Sequence, residues 1–127
     1  MTLNELSEQI IGAGIDVHRE LGPGLLESAY EECLCYELAR RGVPFTRQQP
    51  LPVVYKGVRL ECGYQMDLVV NNGIIVELKS VEKLLPIHEA QLLTYLKLAD
   101  LTLGLLLNFN VFVFKQGIRR IVNKYRE

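Results

Sequence analysis

The sequence predicts an α/β fold, more narrowly α+β, with a mixed β-sheet flanked by helices and an extra helix at the N-terminus. Three observations predict it. Apolar side chains at Leu3, Leu6, Ile10, Ala13, Val17 and Leu21 recur at the three-and-four spacing of an amphipathic helix. Two Val/Ile/Leu-rich runs, Tyr64 to Val70 and Ile74 to Val81, flank the turn residues Asn71-Asn72-Gly73 as the arms of a β-hairpin do. Leu101 to Phe109 is an almost unbroken apolar run, the pattern of a strand buried on both faces.

The first helix opens at Thr2, which stands three residues before Glu5 in capping-box spacing. It closes at Gly22-Pro23, a left-handed cap followed by a residue that cannot continue a helix. A second helix is expected from about Leu25 to Arg41, ended by Gly42 and Pro44. Next come a strand at Leu51 to Tyr55, a tight turn at Lys56-Gly57, and a strand from Val58 onward; with the hairpin to Val81 these make three antiparallel strands. Gly73 is expected to supply the left-handed residue of the hairpin loop, where it carries no Cβ penalty. Pro86 suits the first turn of a helix reaching about Ala99, since its missing amide hydrogen would be unpaired there. Val111 to Phe114 and Ile118 to Val122 are expected to form a last hairpin around Lys115-Gln116-Gly117, with Tyr125 to Glu127 frayed.

At 127 residues the chain is expected to be one domain, residues 1–127, with a single core and no room for an appended module. Its apolar fraction of 49% is ordinary for a folded soluble domain, and no apolar run is long enough to cross a bilayer. The N-terminus lacks a basic segment followed by an apolar one, so a cytoplasmic location and no membrane association are expected. Cys33, Cys35 and Cys62 lack the paired spacing of a zinc site and are expected to be reduced and mostly buried. A net charge of −1 argues against a nonspecific nucleic-acid coat protein. Basic residues nevertheless gather at Arg40, Arg41 and Arg47, and at Arg119, Arg120, Lys124 and Arg126. Either group could contact phosphates, with Arg119 and Arg120 the candidate substrate contacts; as solvated surface charge, either would do nothing of the kind.

The hairpin carries the chemistry. If Asn71, Asn72 and Gly73 form the loop, Val70 pairs with Ile74, and counting outward sets Asp67 opposite Glu77 on one face of the sheet. Facing carboxylates repel, and a divalent cation between them is the natural compensation. Lys79 shares that face, two residues beyond Glu77.

A carboxylate followed on the next strand by Glu-x-Lys resembles the PD-(D/E)XK nuclease superfamily. The stretch Gly24-Leu25-Leu26-Glu27-Ser28-Ala29-Tyr30 reads G-x-x-E-x-x-Y and resembles the small GxxExxY protein family within it. The likeness extends to Val17 to Gly24, Val54 to Gly57, Ala90 to Leu96 and Gly104 to Phe109, so nearly the whole chain is covered. Gln91-x-x-x-Tyr95 resembles a motif that follows the lysine in the RecB-like and Cas4-like branches.

The resemblance implies a restriction-endonuclease-like core with Mg²⁺ or Mn²⁺ as cofactor and nucleic acid, DNA or RNA, as substrate. Asp67, Glu77 and the backbone carbonyl of Leu78 would hold metal, with Glu27 a further ligand, direct or through water. Lys79 would orient the attacking water or stabilise charge on the phosphate, with Gln91 and Tyr95 supporting the site. Tyr30 and His88 join the substrate-binding candidates, since His88, Gln91 and Tyr95 form one helical stripe.

Each residue also has an ordinary reading. Glu27 suits a helix N-terminus on dipole grounds alone, and His18 reads as structural. The alternative for the whole chain is a non-catalytic scaffold that binds nucleic acid or a protein partner, a second copy of the chain included. The complete set of Asp67, Glu77 and Lys79 argues against it, because a scaffold has no reason to keep all three. The chain departs from the family pattern in Gln65-Met66 before Asp67 and in Phe112, where proline is usual.

Overall fold

The computed structural model describes residues 1–124, so the expectation for Tyr125 to Glu127 lies outside the described residues. Helix α1 (Leu3–Leu21) begins at the capping box: the Glu5 N–H donates to Thr2 Oγ1 at 3.1 Å, and the Thr2 N–H donates to Glu5 Oε1 at 2.8 Å. It ends at Gly22, which takes φ 66°, a conformation open to glycine. Helix α2 (Glu27–Arg40) packs against α1, burying Tyr30, Leu34, Cys35 and Leu38.

Five strands follow: β1 (Phe45–Pro50), β2 (Val53–Tyr55), β3 (Val58–Leu60), β4 (Gln65–Val70) and β5 (Ile74–Lys79). Helix α3 (Pro86–Ala99) crosses over to β6 (Leu103–Asn108), and a 3₁₀ turn at Phe114–Gly117 leads into β7 (Ile118–Val122). The main sheet has the order β1-β4-β5-β6-β7, while β2 and β3 form a separate two-stranded ribbon. In the main sheet β5 and β6 are parallel and every other pair is antiparallel. A parallel pair needs a crossover connection, and α3 supplies it. The sheet is therefore mixed and helix-flanked on both faces, the α/β architecture expected.

One apolar cluster lies between the sheet and α1/α2, built on Leu6, Ile10, Leu34, Leu78, Leu105 and Phe109. A second, with Ile75, Leu92, Leu96 and Leu106, lies between the sheet and α3. All six residues of β6 are buried, as an apolar run covered on both faces requires. Among the described residues, no helix is long and apolar enough to cross a membrane.

The structure corrects five local expectations. The three antiparallel strands expected between Leu51 and Val81 do not form one sheet: the strand from Val58 ends at Leu60, β2 and β3 pair only with each other, and the neighbour of β4 across from β5 is β1. Phe45–Pro50 is a strand the sequence does not announce, because an edge strand with mostly exposed side chains needs no apolar alternation. The left-handed residues of the β4–β5 loop are Asn71 (φ 50°) and Asn72 (φ 53°), and the Gly73 N–H closes the turn on Val70 O at 3.0 Å. Asparagine tolerates that region. Gly73 serves packing instead, since a Cβ there would lie 3.3 Å from the Leu3 side chain. Val111–Phe114 forms no hairpin arm: Phe114 turns into the core against Phe109, and β7 pairs with β6. Of the three cysteines only Cys35 is buried; Cys33 is half-buried and Cys62 exposed, and all three are free.

The 3₁₀ turn is tight enough to fix the residue at its end. A Cβ on Gly117 would collide with the backbone carbonyl of Asn108, which cannot swing aside as a side chain can. Gly117→Ala is expected to destabilise the fold by about 2 kcal/mol or more, read as a lowered midpoint in thermal denaturation.

Candidate active site at the opening of the β4–β5 ladder

Strands β4 and β5 pair at Val70↔Ile74, Val69↔Ile75 and Leu68↔Val76, and one further step would oppose Asp67 to Glu77. There the ladder stops and side chains take over. The Asp67 N–H donates to Glu77 Oε2 at 2.8 Å, and the Leu78 N–H donates to Asp67 Oδ2 at 2.9 Å. Each carboxylate thus accepts the amide that a ladder carbonyl would otherwise have taken, so the strands open without orphaning a buried donor. Lys79 O accepts from the Phe109 N–H of β6 at 3.0 Å, which turns the Lys79 peptide groups toward β6. Alternation along the strand turns the Leu78 groups toward β4, so the Leu78 carbonyl opens into the same gap as the Asp67 carboxylate.

Burial and mutual repulsion set the electrostatics. Glu77 is only 5% exposed, and its carboxyl is pushed up to about 8, first by burial and then by Asp67. Asp67 is also raised, again by burial first, while its hydrogen bonds from Leu78 and Gln48 oppose the rise. Two carboxylates held together in partial burial resist joint ionisation unless a cation joins them. Among the described residues no three His, Cys, Asp or Glu side chains come close enough to cage a metal. Two carboxylates and one carbonyl do suit a hard ion that keeps several of its waters, as magnesium does. The donor set fits Mg²⁺ or Mn²⁺ better than a thiolate- or imidazole-bound metal.

Lys79 is half-buried and, among the described residues, forms no ion pair with either carboxylate. Its charge still favours ionisation of both. The strand end carrying it is pinned on two sides. Buried Asn108 bonds the backbone of Val81 through both ends of its amide, and Ser80 Oγ donates to Leu25 O at 2.5 Å.

Behind Asp67 lies a layer of polar residues of which the sequence singles out only Arg47, as a candidate phosphate contact; in the structure its guanidinium pairs with Glu31 and Glu32 instead. Gln48 Nε2 donates to Asp67 Oδ1 at 3.3 Å and to Glu31 Oε1 at 2.8 Å. Gln48 holds φ 48°, uncommon for a residue with this side chain, at the one point of the β1–β4 register, between Arg47↔Leu68 and Gln49↔Met66, where no pair forms. Arg47 Nε and Nη2 both donate to Glu31 Oε2, at 3.1 and 2.9 Å. Glu31 is 8% exposed, and its charge helps raise Asp67. Its spacing of four from Glu27 on one helix face is the signal that could have found it.

The remaining candidates divide. Tyr95 is buried at the site, and its hydroxyl is raised by burial first and then by the charge of Glu77. Gln91 lines a cavity with Tyr95. Arg119 lies in register with Glu77 through Leu106, two strands away, and donates to Gln116 O and Ile118 O. Arg120, the next residue, bonds Asn4 of α1, so it sits on the opposite face and cannot join Arg119 on one phosphate.

Tyr30, expected among the substrate contacts, is fully buried and stacks on Phe109 at 4.6 Å. Its hydroxyl donates to Gly22 O at 2.6 Å and accepts from the Leu25 N–H at 3.1 Å, so it ties down the loop before α2. His88 caps α3: its Nδ1 accepts the Leu85 N–H at 3.0 Å. Glu27, the first residue of α2, is exposed and is not gathered with Asp67 and Glu77 into a metal-binding cluster, although its charge contributes to raising Glu77. His18 bonds Val111 O through Nε2 at 2.6 Å, a structural role.

A family model described as the PD-(D/E)XK nuclease superfamily matches residues 4–121. The chain belongs to this superfamily. Comparison with curated proteins and with solved structures gave no match. The matched span runs from α1 into β7 and contains Asp67 and Glu77-Leu78-Lys79. The mixed sheet between helices is consistent with the restriction-endonuclease-like fold, and membership of the superfamily suggests nuclease activity on nucleic acid. Nucleases of the superfamily generally use divalent metals.

Proposed function

We propose that this chain is a Mg²⁺- or Mn²⁺-dependent nuclease that hydrolyses phosphodiester bonds, of the GxxExxY kind within the RecB-like and Cas4-like branch of its superfamily. The observation that carries the reading is the opened ladder, where the half-buried Asp67 and the buried Glu77 carboxylates, both held above their ordinary pKa values, each take a backbone amide of the other strand beside a lysine that forms no ion pair among the described residues. Asp67, Glu77 and the Leu78 carbonyl would hold the metal, which when bound lowers the pKa of water and offsets charge on phosphate. Lys79 supplies a fixed positive charge to the attacking water or to the phosphate oxygens as negative charge builds on them. Gln48 and the Leu78 N–H fix the Asp67 carboxylate, and Glu31 with Arg47 fixes Gln48 in turn. Tyr95, near enough to feel the charges of Glu77 and Asp67, and Gln91 one turn before it on α3 would support the substrate strand.

The test is incubation with end-labelled single- and double-stranded DNA and RNA, with Mg²⁺ or Mn²⁺ and with chelator. Cleavage that needs metal and stops with chelator is the expected result. No cleavage of any substrate under any metal condition would overturn the reading in favour of a non-catalytic scaffold.

A further inference from the structure

A cavity of about 310 Å³ is lined by Val53, Tyr64, Gln91, Thr94, Tyr95 and Leu98, with Tyr64 three residues before Asp67 along the chain. It lies between the base of the β2–β3 ribbon and the outer face of α3. Tyr95 is its shared wall with the candidate active site: buried, it senses the charges of both Glu77 and Asp67 on one side and meets Tyr64 edge-on at 6.1 Å on the other. Tyr64 is 48% exposed, so a ring face remains open to a ligand. Gln91 is half-buried, and among the described residues its solvent-facing side-chain amide has no protein hydrogen-bond partner. No lysine, arginine, aspartate or glutamate lines the cavity.

An apolar slot with an aromatic face, one unspent amide and no charge does not suit a phosphate or a sugar. It suits a flat heteroaromatic ring that stacks on tyrosine and offers its edge to an amide. We propose that this cavity takes one unpaired nucleobase of the nucleotide next to the scissile phosphate, making single-stranded nucleic acid the substrate class; this rests on the nuclease reading above. The base stacks on Tyr64, Gln91 bonds its edge, and Tyr95 separates it from the metal-holding carboxylates. A base in a duplex has both faces stacked and its edge paired, so it cannot enter without being extruded. The net charge of −1 points the same way. Affinity for duplex comes mainly from many phosphate contacts, whereas stacking supplies affinity to a single strand without a basic surface.

The chain contains no tryptophan, so Tyr64→Trp places one fluorescent reporter in the cavity wall. In a Lys79→Met background with Mg²⁺ present, binding is read without turnover. The probes are an oligothymidylate of about twelve nucleotides, an abasic sugar-phosphate strand of that length, and the oligothymidylate annealed to its complement. The expected result is quenching by oligothymidylate, with the abasic strand and the duplex each binding at least about tenfold more weakly. With tyrosine restored, Tyr64→Ala should weaken oligothymidylate binding about tenfold and Tyr64→Phe by less than about twofold. Equal binding of the abasic strand, wild-type affinity in Tyr64→Ala, or no oligonucleotide binding at all would overturn the proposal. The two readings fail separately. A chain that cuts nucleic acid but binds the abasic strand equally well keeps its catalytic site and loses this pocket; one that binds unpaired bases but cuts nothing keeps the pocket and loses catalysis.

Discussion

Lys79→Met should slow cleavage by about a hundred- to a thousandfold while leaving metal affinity and thermal stability at wild-type values. The expectation follows from where the lysine stands. It reaches both carboxylates with its field yet forms no ion pair with either among the described residues, so its charge is not consumed in holding the fold. Methionine keeps the packed stem and removes only the charge, which separates an electrostatic role from a packing one. Because a charge stabilising the transition state acts little on the bound ground state, kcat should fall with KM nearly unchanged. Calorimetric titration with Mn²⁺ and single-turnover cleavage measure the two halves independently. A variant that cuts at the wild-type rate would remove Lys79 from the reaction. One that also loses metal would show that its charge was holding Asp67 and Glu77 in place.

The parts of the fold legible in the sequence are those where a periodic pattern and a stop signal agree. Helix α1 has both an apolar stripe and a capping box, and its first residue follows Thr2 as the pattern requires. Helix α3 starts at Pro86 and ends at Ala99, as expected from a proline in its first turn. The strand β1 was not legible because its partner β4 supplies the order. Thr46-Arg47-Gln48-Gln49 is polar on both faces, and only hydrogen bonding to a buried neighbour makes it a strand. The missing last hairpin has a similar cause. Val111 to Phe114 carries strand-like residues, but the collapse of Phe114 onto Phe109 and the close approach of Gly117 to Asn108 are tertiary facts that no local window contains.

At the site the sequence reached the residues fixed by hairpin register and missed those that arrive from elsewhere. Asp67 and Glu77 follow from counting outward from Val70 and Ile74, and the register holds to Leu68↔Val76. That the ladder then opens, with each carboxylate capping a backbone amide of the other strand, depends on side-chain reach across the gap. Glu31, Arg47 and Gln48 come from α2 and from the unannounced β1, so their convergence on Asp67 required the sheet order. Tyr30 shows the opposite error: a tyrosine in a named motif invites a functional role, whereas its hydroxyl is wholly occupied in bracing the Gly22–Leu25 loop.

Glu77→Gln should cut Mg²⁺ or Mn²⁺ affinity by at least about a hundredfold and yet stabilise the metal-free protein at pH 8. The amide oxygen of glutamine can still accept the Asp67 N–H, so the gap between the strands keeps its hydrogen bond while losing a buried charge. The pH dependence carries the sign. In the folded protein the Glu77 carboxyl titrates near 8, far above its ordinary value of 4.5. Between those two values the folded state holds a proton that the unfolded state has released, so metal-free stability falls as pH rises through that window. The gain from Glu77→Gln should therefore be small at pH 5 and grow to about 1 kcal/mol or more at pH 8, a few degrees in the thermal midpoint. Metal reverses the preference, because it requires the carboxylate. Wild-type affinity should rise by up to about tenfold per pH unit below pH 8, with release of up to one proton per ion bound, and glutamine at 77 should flatten that slope. Titration calorimetry in two buffers of different ionisation enthalpy counts the protons. A wild-type protein that binds metal with no proton release at pH 6.5, or a variant whose metal-free midpoint falls below wild type at pH 8, would show that Glu77 is already ionised in the folded chain and that its charge is balanced without a metal.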